Sequence, residues 1–457
     1  MRLTRRLTGL RPGLIVAACL AAATGLAATL LSGQPTADAT IRLRPDQTFQ
    51  TITGWEATAS LPNNPAAPDW APYHDTQILR AARDAGINRI RLEFRANIEN
   101  TDPDLSRYFK GQLPEAAWSK LMYQVSNDNG DPHVINWAGF NFEEIDWYMD
   151  NTVMPLRKVL AAQGKRLYIN GCYVAFKGGR TFQRDPEEYA EFVLAAYVHL
   201  KDKYGVVPDS WEMILEPDVP KDGWTGTEIG QAMVATARRL EGAGFTPAFV
   251  APSVTDISNT LPYVDAIVAV PGAAKYLKEI SYHRYRNKGR AKLADIAARA
   301  KSLGVNTSML ELWFGKANYD VLFQDLKVGN VSAWQGRVLE GLYAPQLDGS
   351  IGPNPEVRYN ALIMRAVDAG AVRIGTDSDN PKTFDALAFV NPSGWAVAVR
   401  ARQGGTVRVE GLPPGRYQVA YAVPAGSAEL PVATDASGAV EAMIPDKGIM
   451  TITRAKD

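Results

Sequence analysis

The sequence predicts an α/β protein, a (β/α)8 TIM barrel with an all-β sandwich domain built from the C-terminus and an N-terminal strand. Between Thr51 and residue 369, about eight apolar strand-like stretches alternate with helix-length segments, the pattern of a parallel barrel. From residue 370 to 457 the pattern changes to short alternating strands separated by Gly and Pro. A doubly wound sheet would also alternate, but no glycine-rich phosphate turn supports it.

The N-terminus has the order of an export signal. Four arginines within the first eleven residues precede an apolar run, 14–31, and the small-residue sequence Ala37-Asp38-Ala39. This order predicts a signal peptide over 1–39, so we expect a secreted or periplasmic protein without membrane contact after cleavage. An uncleaved anchor stays open, because the apolar run approaches the length of a bilayer span. A twin-arginine signal and a lipoprotein box at Cys19 are further alternatives.

Composition limits the function classes. The 49 basic and 49 acidic residues give no net charge, so neither nucleic acid nor an anionic membrane is an expected partner. Removal of the signal would leave Cys172 alone, which excludes an internal disulfide and suggests a small buried side chain. Without a spaced His/Cys cluster, we expect neither a metal nor a cofactor. Ten tryptophans favour a carbohydrate partner, since flat aromatic faces stack on sugar rings.

The elements are predicted in chain order. An N-terminal strand, 40–50, is expected to join the β-domain, and the first barrel strand follows from Thr51. The barrel units, each a helix followed by a strand, are predicted at 75–86 and 87–94, 141–164 and 166–174, 185–204 and 211–216, 227–244 and 247–254, 273–278 and 279–285, 292–304 and 306–314, and 318–328 and 331–339. The β-domain strands are predicted at 371–375, 386–401, 406–411, 417–423, 439–445 and 449–455.

A long insertion follows the second barrel strand. Residues 96–141 are rich in aromatic side chains, among them Trp118, Tyr123 and Trp137. Because it follows the carboxyl end of a barrel strand, we expect it to lie over the mouth where barrel active sites are built.

Two glutamates end predicted barrel strands and define the candidate site. Glu216 closes the apolar stretch 210–218 and is followed by Pro217, which cannot continue a strand. Glu311 lies near the end of the stretch 306–314. A carboxylate pair of this kind, one acid/base and one nucleophile, is the minimum apparatus of a glycoside hydrolase.

Side-chain alternation predicts what surrounds the pair. On the second strand Arg89, Arg91 and Glu93 share one face, and on the sixth strand His283 and Tyr285 share another, so both faces should point into the barrel. Arg91 would hold a nucleophilic carboxylate ionised, and Tyr285 would donate to Glu311 and orient it. An ion pair of Arg91 with Glu93 is the structural alternative. His283 is a candidate for substrate binding.

Four tryptophans are candidate sugar-binding platforms. Trp334, on the eighth strand, is the first choice, followed by Trp55, Trp313 and Trp137. Each of them has packing in the core as its alternative.

These residues also carry a family resemblance. The stretch 49–60, the Glu216-Pro217-Asp218 strand end, the H-x-Y of residues 283–285, Glu311, and the closing run 352–375 into 388–399 resemble the glycoside hydrolase family 30 pattern, within clan A. The resemblance spans nearly all of the mature chain. It implies a retaining glycosidase acting on a β-linked glycoside or polysaccharide, with Glu216 as acid/base on the fourth strand and Glu311 as nucleophile on the seventh.

One residue departs from that pattern and keeps two alternatives open. Clan A members place an Asn before the acid/base glutamate, where it bonds the sugar 2-hydroxyl, and this chain has Leu215. A non-catalytic glycan-binding barrel is therefore the second hypothesis. A structural envelope protein held by an uncleaved N-terminus is the third.

Overall fold

The computed structural model describes residues 37–60, 70–101, 107–108, 110–176, 182–219, 223–287, 289–435 and 437–455. Most of the predicted signal peptide, residues 1–36, lies outside the described residues. Among the helices of the described ranges, none combines the length and hydropathy that a bilayer crossing needs.

A closed barrel of eight parallel strands forms the larger part of the fold, as predicted. Each strand pairs with its neighbour in sequence, and the first also pairs with the last. The strands are β2 (Gly54–Thr58), β3 (Arg89–Arg95), β4 (Tyr168–Val174), β5 (Ser210–Glu212), β6 (Phe249–Asp256), β7 (Leu277–Arg286), β8 (Asn306–Glu311) and β9 (Val331–Val338).

Helices connect the strands. They are α1 (Trp70–Arg80), α2 (Glu115–Trp118), α3 (Glu143–Tyr148), α4 (Met154–Ala161), α5 (Pro186–Tyr204), α6 (Gly226–Gly242), α7 (Thr260–Ala269), α8 (Ala273–Tyr276), α9 (Arg290–Leu303), α10 (Tyr319–Lys327) and α11 (Pro355–Ala366). The caps that define α5 are readable in the sequence, since Asp185 accepts from two backbone N–H groups at its start and Gly205 ends it in the left-handed conformation. Helix α6 begins with a capping box between Thr225 and Glu228.

The β-domain is one mostly antiparallel sheet of nine strands. The strands are β1 (Ala39–Thr51), β12 (Val372–Ser378), β13 (Phe384–Asn391), β14 (Gly394–Ala401), β15 (Gly405–Glu410), β16 (Arg416–Val423), β17 (Gly426–Ala433), β18 (Val440–Ile444) and β19 (Gly448–Arg454). Their order in the sheet is β17-β16-β19-β14-β13-β12-β1-β15-β18. A short hairpin, β10 (Tyr343–Pro345) with β11 (Ile351–Pro353), lies between barrel and β-domain in sequence.

The N-terminal strand joins the β-domain as predicted. Strand β1 pairs antiparallel with β12 and parallel with β15, so the chain starts in the domain that it later completes. Apolar residues from β1, β12–β16, β18 and β19 share a single core, which requires the sheet to curl around it.

The structure corrects the fourth barrel strand. The pattern predicted a strand over 211–216, but the strand ends at Glu212. Beyond Glu212 the chain still forms hydrogen bonds with both neighbouring strands. The Leu215 N–H donates to the Tyr173 carbonyl on β4, and the Glu216 N–H donates to the Ser253 carbonyl on β6. Glu216 therefore leaves the sheet in an irregular conformation.

Candidate active site

Glu311 is held from two sides at the end of β8. The Tyr285 hydroxyl donates to Oε1 at 2.8 Å, and Arg91 Nη2 donates to Oε2 at 2.6 Å. The carboxylate is almost fully buried, and Arg91 is completely so. Each carboxylate oxygen thus has one fixed donor, the arrangement predicted from the strand alternation.

Electrostatics keep both donors protonated. Burial works to lower the pKa of Arg91, but the charges of Glu311 and Glu93 outweigh it and raise that pKa well above the usual value. Burial and the neighbouring Glu311 charge raise the pKa of Tyr285 as well. Arg91 Nη2 also lies 3.1 Å from Glu93 Oε1. Arg91 therefore forms the ion pair with Glu93 and supports Glu311 at the same time.

Glu216 lies opposite, in the irregular segment that follows the fourth strand. Its Oε1 is 2.9 Å from His283 Nδ1, and His283 is completely buried on β7. Burial works to lower the pKa of His283, but the nearby Glu311 charge and the hydrogen bond to Glu216 raise it above the usual value. His283 Nε2 has no hydrogen-bond partner among the described residues.

The two carboxylates are close to each other. Glu216, His283 and Glu311 each offer one atom, and the three atoms lie within 4.8 Å of one another. Retaining glycosidases hold their two carboxyl groups about 5 to 5.5 Å apart, whereas inverting enzymes leave about 6.5 to 9.5 Å for a water. The gap between the nearest oxygens of Glu216 and Glu311 is therefore smaller than the separation that inverting enzymes use.

The same three groups could ligate a metal ion by distance alone. The guanidinium of Arg91, 2.6 Å from Glu311 Oε2, already supplies the positive charge that this carboxylate needs. His283 uses Nδ1 on Glu216, which removes one of its two possible ligand atoms. The donor set therefore fits proton chemistry better than metal binding.

Backbone strain is concentrated around the site. Glu216, Ser253 and Phe314 have φ values of 53°, 53° and 62°, a left-handed conformation that is costly for residues with a side chain. All three follow or interrupt the carboxyl ends of barrel strands. Strain that persists at a cleft is a mark of function, because the surrounding structure must hold it in place.

A cleft of about 500 Å³ opens above the pair. Both glutamates line it together with Tyr285, Trp313 and Phe314. The insertion 96–141 contributes Tyr123, so the segment reaches the barrel mouth as predicted. Leu215 also lines the cleft, packed against Cys172 and Val174.

Below the pair, the barrel lumen is filled by an ion-pair network that sequence reasoning missed. Arg89 donates to Glu56 at 2.5 Å and to both oxygens of Glu279 at 2.8 and 3.0 Å. Glu279 lies on the same face of β7 as His283 and Tyr285. The alternation that predicts an inward orientation for those two residues therefore predicts it for Glu279 as well. Such buried salt bridges are weak evidence for stability, because the cost of removing the charges from water offsets their attraction.

Two of the four tryptophan assignments are wrong. Trp55 and Trp334 are fully buried, and their indole N–H groups donate to the Val367 carbonyl and to Asp325. They lie beside each other on β2 and β9, facing the helices, because it is their neighbours Glu56 and Gln335 that occupy the lumen. They are core residues with no face open to a sugar.

The other candidates differ in position. Trp313 lines the cleft, and its ring lies 5.8 Å from the Arg91 guanidinium. Trp137 is 48% exposed and is not among the residues that line the cleft, so its role as a sugar platform stays a prediction. His283 is buried behind Glu216 and contacts that carboxylate rather than open space, which corrects its assignment to substrate binding.

Comparison with known proteins identifies the fold. No protein-family model matches the chain, and no curated protein matches it in sequence. Solved structures do match. The catalytic domain of a GH30 xylanase C from Talaromyces cellulolyticus superposes with a TM-score of 0.67 at 15% identity, covering 91% of this chain and 100% of that one.

Two further structures agree with this result. A GH30 endoxylanase from Clostridium papyrosolvens has a TM-score of 0.62 at 14% identity, covering 92% of this chain and 100% of its own. An endo-β-1,6-glucanase has a TM-score of 0.62 at 15% identity, covering 91% and 95%. The chain therefore has the fold of glycoside hydrolase family 30 structures over most of its length, as its sequence resemblance implied.

Proposed function

We propose that this chain, with its family 30 fold, is a secreted retaining glycoside hydrolase that cleaves a β-linked glycoside or polysaccharide by double displacement. The observation that carries the proposal is the pair Glu216 and Glu311, with carboxylate oxygens within 4.8 Å across a cleft at the carboxyl end of the barrel. That spacing matches the retaining mechanism. The xylanase and glucanase names of the matched structures support the same reaction class.

In the first step Glu311 attacks the anomeric carbon. Arg91 and Tyr285 fix both of its oxygens and stabilise its negative charge before attack, which places the nucleophile without further reorganisation. Glu216 gives its proton to the leaving oxygen as the glycosidic bond breaks. The product of this step is a glycosyl ester on Glu311 and a free aglycone.

In the second step the roles of Glu216 reverse. As a carboxylate it takes a proton from water, and that water attacks the anomeric carbon and releases Glu311. His283 bonds Oε1 of Glu216, so the second oxygen stays available for the proton transfers. Two inversions at one carbon leave the product with the configuration of the substrate.

Azide rescue tests these assignments. The mature protein is assayed on aryl β-glycosides and β-glycans beside Glu216→Ala, Glu311→Ala and a control, Glu241→Ala, whose side chain is exposed and pairs with Lys275 outside the cleft. We expect azide to restore Glu216→Ala through a β-glycosyl azide, and Glu311→Ala to lose turnover on every substrate. Full activity in Glu311→Ala would contradict the proposal.

A non-catalytic glycan-binding protein is the second candidate, and Leu215 favours it. The apolar contacts of Leu215 with Cys172 and Val174 provide no donor to the sugar ring where the family pattern has an amide. Glycan binding at the cleft without turnover on any substrate of the panel would support this function instead.

A further inference from the structure

A group of acidic side chains lies where the insertion 96–141 meets helix α5, and none of its members lines the cleft. Glu188 and Glu191 are one turn apart on α5, so they lie on the same side of the helix. Asp128 comes from the insertion, and its charge acts on both Glu191 and Glu99. Carboxylates from separate segments of the chain are therefore brought together here.

Several buried oxygen atoms of this group have no hydrogen-bond donor among the described residues. Glu191 is completely buried, yet both of its carboxylate oxygens are without a donor. The same holds for one buried oxygen on each of its neighbours, namely Asn127 Oδ1, Asp128 Oδ1 and Glu188 Oε2. Because polar atoms that are buried without a partner are costly, their concentration at one place indicates a ligand between them.

Other contacts fix the side chains that carry these oxygens. Asn127 Nδ2 donates to the Asn129 carbonyl and lies 3.3 Å from Glu188 Oε1, which settles the orientation of the amide. Asp128 Oδ2 accepts from the Asn136 N–H at 2.6 Å and from Asn129 Nδ2 at 2.9 Å. One polar atom of each side chain thus holds the loop in place, and the other is left for a ligand.

The charges at this place favour a cation as that ligand. Burial raises the pKa of Glu191 to about 8, and the charges of Asp128 and Glu188 add to the rise. Arg239 on α6 offsets these charges only in part, and its guanidinium donates to the Pro132 carbonyl. In cation-free buffer Glu191 therefore keeps a proton at neutral pH. A bound cation replaces that proton and also satisfies the neighbouring oxygens.

The donor atoms fit calcium. All of them are carboxylate or amide oxygens, which suit hard cations, so no spaced His/Cys motif marks the site in the sequence. Within the described part of the chain, three ligand atoms lie mutually within 4.8 Å only at Glu216, His283 and Glu311, so the carboxylates near α5 are spaced more widely. Ca²⁺ accepts an irregular shell of about six to eight oxygens that includes water, whereas Mg²⁺ demands a compact octahedron.

We propose that one calcium ion binds to Glu191, Glu188, Asp128 and the amide oxygen of Asn127, with water completing its shell, and holds the insertion against helix α5. This site is separate from the catalytic pair, and the inference does not depend on the hydrolase function. The insertion also supplies Tyr123 to the cleft. Calcium therefore stabilises the segment that borders the barrel mouth.

Calcium titration of the mature protein, first treated with a chelator, tests the site. Isothermal titration calorimetry with calcium chloride should show one ion per chain with a Kd below about 1 mM. Saturating calcium should raise the Tm by about 2 °C or more, because the ion binds the folded state and not the unfolded chain. Magnesium chloride at the same concentration should produce a smaller rise.

Conservative variants locate the ion. Glu191→Gln and Asp128→Asn each remove one charge and keep the size of the side chain, so each should weaken calcium binding at least about tenfold and abolish the rise in Tm. Glu241→Gln is the matched control, since this exposed glutamate on α6 pairs with Lys275. Glu311→Gln removes a carboxylate of the catalytic pair. Both of these last variants should bind calcium as the wild type does.

The opposite results are equally defined. Calcium binding that survives both Glu191→Gln and Asp128→Asn, or that is lost in Glu311→Gln, would overturn the proposed site. Wild-type protein that binds no calcium at about 10 mM would overturn it as well. An equal rise in Tm with magnesium would contradict the assignment of the ion as calcium.

Discussion

Replacing Tyr285 by Phe removes one atom from the support of Glu311. The lost hydroxyl is the donor to Oε1 at 2.8 Å, and the second oxygen keeps Arg91 at 2.6 Å. Because phenylalanine keeps the aromatic ring, the packing of this side chain on β7 should not change. The variant therefore removes this hydrogen bond to the nucleophile, together with the longer one that the hydroxyl accepts from the Trp313 N–H at 3.3 Å.

The magnitude follows from the charge and burial of Glu311. Hydrogen bonds to charged groups contribute about 1.5 to 3 kcal/mol, and the carboxylate is only 5% exposed, so water cannot readily replace the donor. At 1.36 kcal/mol per factor of ten, this predicts a fall in kcat of about 10- to 150-fold. KM should change much less, because the bond acts on the nucleophile rather than on the substrate.

Steady-state hydrolysis of an aryl β-glycoside measures the effect. Tyr421→Phe on β16, remote from the barrel mouth, is the matched control and should keep full activity. Thermal unfolding of both variants checks that the fold is retained. A Tyr285→Phe enzyme within twofold of wild type would refute the account of how Glu311 is oriented.

Three other perturbations have defined outcomes. Arg91→Met should abolish turnover and lower the free energy of unfolding by about 3 to 5 kcal/mol, because it leaves the buried carboxylates of Glu93 and Glu311 without their partner. Urea denaturation measures the loss of stability. A fully stable and active variant would contradict this expectation. Trp334→Phe should lower stability by about 1 to 3 kcal/mol through the lost indole bond to Asp325, without altering KM, whereas a raised KM would restore its role as a sugar platform. Burial and nearby acidic groups raise the pKa of Glu191 from 4.5 to about 8, so the folded state binds the proton more tightly than the unfolded state. Stability should therefore fall as pH rises from 4.5 to 8, and Glu191→Gln should remove that fall and stabilise the protein at pH 8 by about 1 to 2 kcal/mol; unchanged pH profiles of unfolding would contradict the assignment.

The sequence predicted the parts of the site that depend on alternation. Side chains at alternate strand positions point into a barrel, so the sequence alone predicts that Arg91, Tyr285 and Glu311 lie together. The same rule places Trp55 and Trp334 outside the lumen, because Glu56 and Gln335 take the inward positions beside them. Those two assignments are wrong because they rest on the general suitability of tryptophan for sugar binding. They ignore that Trp55 and Trp334 occupy outward-facing positions of their strands.

Other features depend on backbone conformation that no side-chain pattern encodes. The left-handed residues Glu216 and Phe314 are not glycines, so the sequence does not reveal their backbone conformation, although Pro217 marks the place where the strand must have ended. The fourth strand was predicted too long for this reason, since its apolar residues continue past Glu212 while the pairing becomes irregular. Strand β17 and helices α7 and α11 were not predicted; β17 is largely exposed and lacks a buried face to mark it.

The stereochemistry of hydrolysis tests the central claim most directly. Proton NMR of a reacting β-glycoside, recorded before the sugar mutarotates, identifies the anomer that the enzyme releases. Carboxylate oxygens within 4.8 Å predict that the β-anomer forms first and the α-anomer appears only later. Release of the α-anomer first would show single displacement by water and contradict the nucleophilic role of Glu311.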